Sequence, residues 1–115
     1  MRSVRLSSKF WIDAYRELLN KNAIPLFIIR KGDDTAGAIL VKVCNLKGGS
    51  KLFSEITGID SCTSWSLLAE GSDEEMNKVA SRQLIIDPDL WLLEIEDREG
   101  RHFLGHSYLQ RQIYK

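Results

Sequence analysis

Cysteine is scarce. Cys44 and Cys62 are the only two in 115 residues, and no C-x-x-C joins either to a second pair. That excludes a zinc framework and a dithiol redox motif. The expectation is two reduced thiols, one in a strand and one in a loop. Long apolar runs are missing too: nothing approaches the roughly 18 residues that a membrane helix needs. The opening stretch MRSVRLSSKFW has positive charge but no apolar segment behind it, so it does not read as a secretory signal. The expected compartment is the cytoplasm. Proline and glycine are too few for a disordered or low-complexity chain. Net charge is absent, and the sequence pI of about 6.7 lies well below the basic footprint of a nucleic-acid binder.

What is present is the composition of a globular protein, 43% hydrophobic and 28% charged. The length fits a single domain, residues 1–115, able to bury a core without staples. Charge is unevenly spread. Residues 1–57 hold ten Lys/Arg against five Asp/Glu, and residues 58–115 hold six against eleven. The split could mean a basic surface for an anionic partner, or two faces that complement each other between protomers, or two halves that interleave and cancel; a compact domain favours cancellation.

Residues 2–6 suit a short strand. Ser7 or Ser8 can accept from the free amides of a helix start. Trp11, Ala14, Tyr15, Leu18 and Leu19 then recur at helical spacing, which predicts a helix over 8–21. IPLFIIRKG and GAILVKVCNL are apolar, β-branched and too short for helices. With GDDTA as turn chemistry between them they predict a hairpin at 25–44 whose first strand is central. Further strands are expected at 51–57 and 65–70. Ser72 and Glu75 spell a capping box, and Met76, Val79, Ala80, Gln83 and Ile86 mark one face of a helix over 73–85. Asp87-Pro88 stops it.

After Pro88, Trp91, Leu93 and Ile95 fall on one face of a strand, and Leu92, Glu94 and Glu96 on the other. Asp97 to Gly100 suit a type I turn. The chain is expected to return through residues 101–104 as a second strand, with Glu96 facing Arg101 across the ladder. Leu104, Tyr108, Leu109 and Ile113 approximate a helical stripe in a tail, 105–115, that either docks or frays.

Three stretches carry a family resemblance: RLSSKFWIDAY (5–15), RKGDDTAGAILVKV (30–43) and DPDLWLLEIEDREGRHFL (87–104). They resemble, in order and at similar spacing, the signature blocks of a small alphaproteobacterial family called domain of unknown function 1491. The third block is the most specific, and the resemblance covers nearly the whole chain up to Leu104. It implies a bacterial cytosolic protein of about one domain. It implies no activity, cofactor or catalytic residue.

Candidate chemistry is thin. His102 and His106 stand four apart, near Glu94 and Glu96, but a four-residue step on a strand spans about 13 Å, which suits one metal ion poorly. Glu94 and Glu96 share a strand face about 6–7 Å apart, a spacing any wet strand face also has. KGGSK and GDDTAGA lead into strands and not helices, so neither forms a phosphate loop. Arg30, Lys31 and Lys42 would form a basic patch if Lys31 and Lys42 met across the first hairpin.

The expected fold is therefore α+β: a mainly antiparallel sheet of five to six strands with two amphipathic helices on one face. The expected function is a non-enzymatic interaction module, with no cofactor, whose partner is another protein or a second copy of itself. The alternative is a metal-dependent or carboxylate-based enzyme or regulator on Glu94, Glu96, His102 and His106. Weaker still is nucleic-acid binding through Arg30, Lys31 and Lys42.

Overall fold

The computed structural model describes residues 3–57, 63–105 and 112–114. In chain order they form β1 (Ser3–Arg5), α1 (Ser8–Lys21), β2 (Leu26–Arg30), β3 (Ile39–Cys44), β4 (Gly49–Thr57), β5 (Thr63–Ser72), α2 (Asp73–Ile86), β6 (Trp91–Glu96) and β7 (Gln112–Tyr114). β1 and β7 pair antiparallel as a two-stranded sheet, and the other five strands form a sheet in the order β2-β6-β3-β4-β5.

Both helices form where the side-chain pattern places them. Ser7 caps α1 by accepting from the Phe10 amide, and the capping box of α2 closes through Ser72 and Glu75. α1 buries Trp11, Ile12, Tyr15 and Leu19 against Ile39, Val41, Val43, Trp91, Leu93 and Ile95. α2 buries Met76 and Ala80 against Leu40, Leu52, Leu90 and Leu92. Alternate residues of β3 and β6 thus serve different helices, so the two helices cover opposite faces of the sheet, not one. A strand buried on both sides reads as continuously apolar, and β3 is buried at all six positions.

The expected hairpin at 25–44 does not exist. β6 inserts between its two arms, antiparallel to β2 and parallel to β3. The sheet is therefore mixed, and among the described strands β2 lies at its edge, not at its centre. The connection over residues 31–38 is too long for a tight hairpin, and its polar groups are used elsewhere. Its Thr35 and Asp34 carbonyls accept from the Ser8 and Lys9 amides at the start of α1. Its Asp33 amide donates to the Asp89 carbonyl, and its Asp33 carbonyl accepts from the Trp91 indole at 2.7 Å.

Gly32 makes this junction possible. A Cβ there would run into the Asp89 carbonyl and sit 2.7 Å from backbone and indole carbons of Leu90 and Trp91. Gly32→Ala is expected to destabilise the fold by about 1–3 kcal/mol, because backbone on both sides must move. Calorimetric melting checks this; an unchanged Tm would show that the junction gives way freely.

The second expected hairpin also fails. The turn is there, with the Gly100 amide donating to the Asp97 carbonyl, but residues 101–104 form no strand. Asp97 is buried, and its carboxylate accepts from the backbone amides of Glu99 and Arg101 and from the Arg101 guanidinium. Arg101 is thus drawn back to Asp97 and does not face Glu96. Phe103, at φ 55°, turns the chain again. In the tail, Tyr108 and Leu109 lie outside the described residues, and Ile113 sits in β7, not in a helix.

Candidate functional site

The polar centre of the molecule lies between β3, β6 and the start of α2. Lys42 stands on the α2 face of β3, opposite Glu94 of β6. It is 2% exposed. Its ammonium has three donors, and three acceptors meet it: Asp73 at 2.7 Å, Glu94 at 3.2 Å and Asn77. Asp73 and Asn77 stand one turn apart on α2, so the cluster pins the helix start to the sheet. Beside it, the Ser50 hydroxyl donates to Asp73 at 2.8 Å, and the Cys44 thiol lies 3.5 Å from both Ser50 and Asp73. A cavity of about 240 Å³ opens here, walled by Cys44, Asp73, Glu94 and Glu96 among others.

The electrostatics describe a site at rest. Burial pushes the Lys42 ammonium down, but the hydrogen bonds it donates to Asp73 and Glu94 outweigh that and hold the group above the ordinary lysine value. The same bonds, from Lys42 and then Ser50, keep Asp73 below the usual carboxylate range. Burial pushes the Cys44 thiol up against the opposing Ser50 bond. At neutral pH the lysine is charged and the thiol protonated, so neither is a nucleophile.

Glu94 and Glu96 share a face as expected, but Glu94 is engaged by Lys42. His102 lies across the sheet. Its ring rests 4.5 Å from that of Phe53, which aligns with Val41 on the α1 face. His106 lies outside the described residues. Glu94 and His102 therefore stand on different faces of the sheet, and among the described residues no group of three or more His, Cys, Asp or Glu is arranged to hold a metal ion.

The basic residues do not converge either. Lys42 is beneath α2, while Arg30 and Lys31 are exposed at the end of β2, near the Pro88 carbonyl and Asp34 respectively. Asp73 and Asn77 were not singled out by the sequence reading. The signal for them is the lone lysine in ILVKVC, a buried cation that requires partners.

The other conspicuous surface is β2 itself. Among the described strands it pairs only with β6. Phe27, Ile28 and Ile29 are 45%, 38% and 54% exposed along it. Ile85 and Ile86, at the end of α2, are 80% and 75% exposed. Arg30 reaches the Pro88 carbonyl two residues beyond Ile86, so both features lie toward one end of the sheet.

The fold recurs in solved structures. A crystal structure and an NMR structure of a DUF1491 family protein from Caulobacter crescentus CB15 match with TM-scores of 0.78 and 0.76. Their identities are 40% and 39%, covering 86% and 88% of this chain and 94% of that one. A solution structure of a protein from A. tumefaciens, 24% identical, shares the fold with a TM-score of 0.73 over 89% of this chain and 94% of its own. No curated protein matches. The family model described as protein of unknown function DUF1491 spans residues 6–105. Those residues contain the whole five-stranded sheet and both helices, and the chain belongs to the DUF1491 family.

Proposed function

We propose that this protein is a non-enzymatic interaction module and that β2 is its contact strand, pairing with β2 of a second copy. The carrying observation is the run of exposed Phe27, Ile28 and Ile29 on an edge strand. An open apolar edge is a template for another strand. Self-pairing fits the charge order. In an antiparallel register centred on Ile28, Phe27 faces Ile29 of the second copy, Leu26 faces Arg30, and Pro25 faces Lys31. No like charges oppose each other. The register with β6 slips between Ile28 and Arg30, so the apolar side chains matter as much as the ladder. A stable dimer buries roughly 1,200–2,000 Å² in all, more than five residues supply. Ile85 and Ile86 would add to it. An enzymatic reading has less support, since Glu94 is tied to Lys42 and His102 stands behind the sheet.

Sedimentation velocity tests the proposal. The wild type is expected to dimerise in the micromolar range. Phe27→Lys with Ile29→Lys, which sets lysines opposite lysines, is expected to be monomeric with unchanged circular dichroism. A wild type that stays monomeric throughout that range overturns self-pairing.

A further inference from the structure

Residues 101–105 form a strap over the α1 face, with His102 and Leu104 as its points of contact. Leu104 is 2% exposed and belongs to the core that holds Trp11 and Tyr15. The Tyr15 hydroxyl donates to the His102 carbonyl at 2.8 Å, across 87 positions of sequence. The Leu104 amide donates to Nδ1 of His102 at 3.1 Å. Between them Phe103 holds φ 55°, a conformation that residues with a Cβ seldom adopt unless their surroundings force it. The Tyr15 bond and the packing of Leu104 hold the strap to the α1 face, and the bond from Leu104 to the His102 ring holds the bend that seats Leu104 there.

Nδ1 can accept from Leu104 only while it carries no proton, which places the proton of the neutral ring on Nε2. A second proton would have to go to Nδ1. There it would point at the Leu104 N–H, a donor against a donor. The ring also rests on Phe53, and the charged group whose field bears on it is Lys51 of β4, itself 3.9 Å from Glu70 of β5. Arg101, the neighbouring cation, is turned onto Asp97. Tyr15, from α1, meets the strap through its hydroxyl and stays protonated, since burial pushes its phenol far up.

We propose that the 101–105 strap is an acid-sensitive latch, released from the α1 face when His102 takes up a proton. Burial first, and Lys51 second, hold the imidazole below its ordinary value of 6.5. The sign follows. A base whose closed-state value is depressed favours closure fully above the ordinary value. That contribution is lost as pH falls from there through the depressed value. The size is fixed by linkage: each unit of depression weakens closure about tenfold in acid.

Two measurements on the full chain test this. NMR titration of the His102 ring gives the depression directly. Hydrogen-exchange protection of the Leu104 amide, which divides out intrinsic pH effects, gives the loss of closure between about pH 7.5 and about pH 5. The expected result is a loss of protection at Leu104 of the size that the ring value dictates, with β3 and β6 amides still protected. Lys51→Gln is expected to raise the ring's value and move the opening to higher pH. His102→Phe is expected to abolish the pH dependence, whether that strap stays shut or not. Leu104 protection indifferent to pH while His102 titrates would overturn the latch. So would a pH dependence that survives in His102→Phe.

Discussion

Replacing Asp73 and Glu94 together by alanine is expected to cost about 3–5 kcal/mol of folding stability. The change leaves the ammonium of Lys42 buried with only the Asn77 carbonyl facing it. The converse, Lys42→Met, is expected to be far milder, within about 1.5 kcal/mol. It fills the same space without charge, and the two carboxylates it abandons can rehydrate. The Asp73 side chain is 49% exposed and that of Glu94 25%. The asymmetry separates a cluster that anchors a helix from a simple sum of ion pairs. Urea unfolding of the three proteins measures it, and equal costs for the two changes would refute it. Alkaline pH should tell them apart as well. In the wild type, a lysine held above its ordinary value of 10.5 stabilises the fold fully below that value and stops doing so only as pH rises through the raised one. In the alanine pair, the carboxylates that raise Lys42 are gone and burial, the largest influence on it, depresses it, so stability should rise with pH towards the ordinary value.

Trp91→Ala is expected to be as damaging, at about 3–5 kcal/mol, since it empties a fully buried site in the larger core. Trp91→Phe isolates the polar part of that loss. The ring is largely refilled, and the Asp33 carbonyl loses the indole donor but keeps the Gly37 amide, so the loss is expected to cost about 0.5–1.5 kcal/mol. Chemical denaturation gives both values. A phenylalanine variant as weak as the alanine one would mean that the hydrogen bond, not the packing, dominates.

Both helices were legible from their own residues, because capping and a 3.6-residue stripe are local signals. The faces of β6 were legible for the same reason: Trp91, Leu93 and Ile95 are buried together as alternation requires. Strand order was not. IPLFIIRKG and GAILVKVCNL flank good turn residues, and nothing local reveals that β6, about 60 residues away, comes between them. In hindsight, the six-residue burial of β3 fits a strand with parallel pairing, and the length of the 31–38 connection argues against a tight turn.

The three stretches that carry the family resemblance explain each other in space. Ser8 and Lys9 from the first bond to Asp34 and Thr35 of the second, and Asp33 of the second bonds to Asp89 and Trp91 of the third. The charge of the third stretch divides into tasks. Asp97 holds a turn, Glu94 holds a lysine, and His102 fastens a strap. The sequence marked Glu94 and Lys42 as candidates, yet placed them in separate sites, since only the register of β3 against β6 sets them side by side.

The placement of β6 also dictates an order of events on folding. β3, β4, β5 and α2 are consecutive and joined by short connections, so they can assemble as their residues become available. β2 cannot join them, because β6, which bridges it to β3, is the last of the sheet's five strands along the chain. Until residue 96 is free to move, the growing sheet ends at the apolar edge of β3. α1 has meanwhile nothing to cover Trp11, Tyr15 and Leu19 except β3 and its neighbours. The late zipping of β6 thus adds buried residues to both cores in one step, and a nascent chain stalled before it offers the apolar edge of β3 to any other strand.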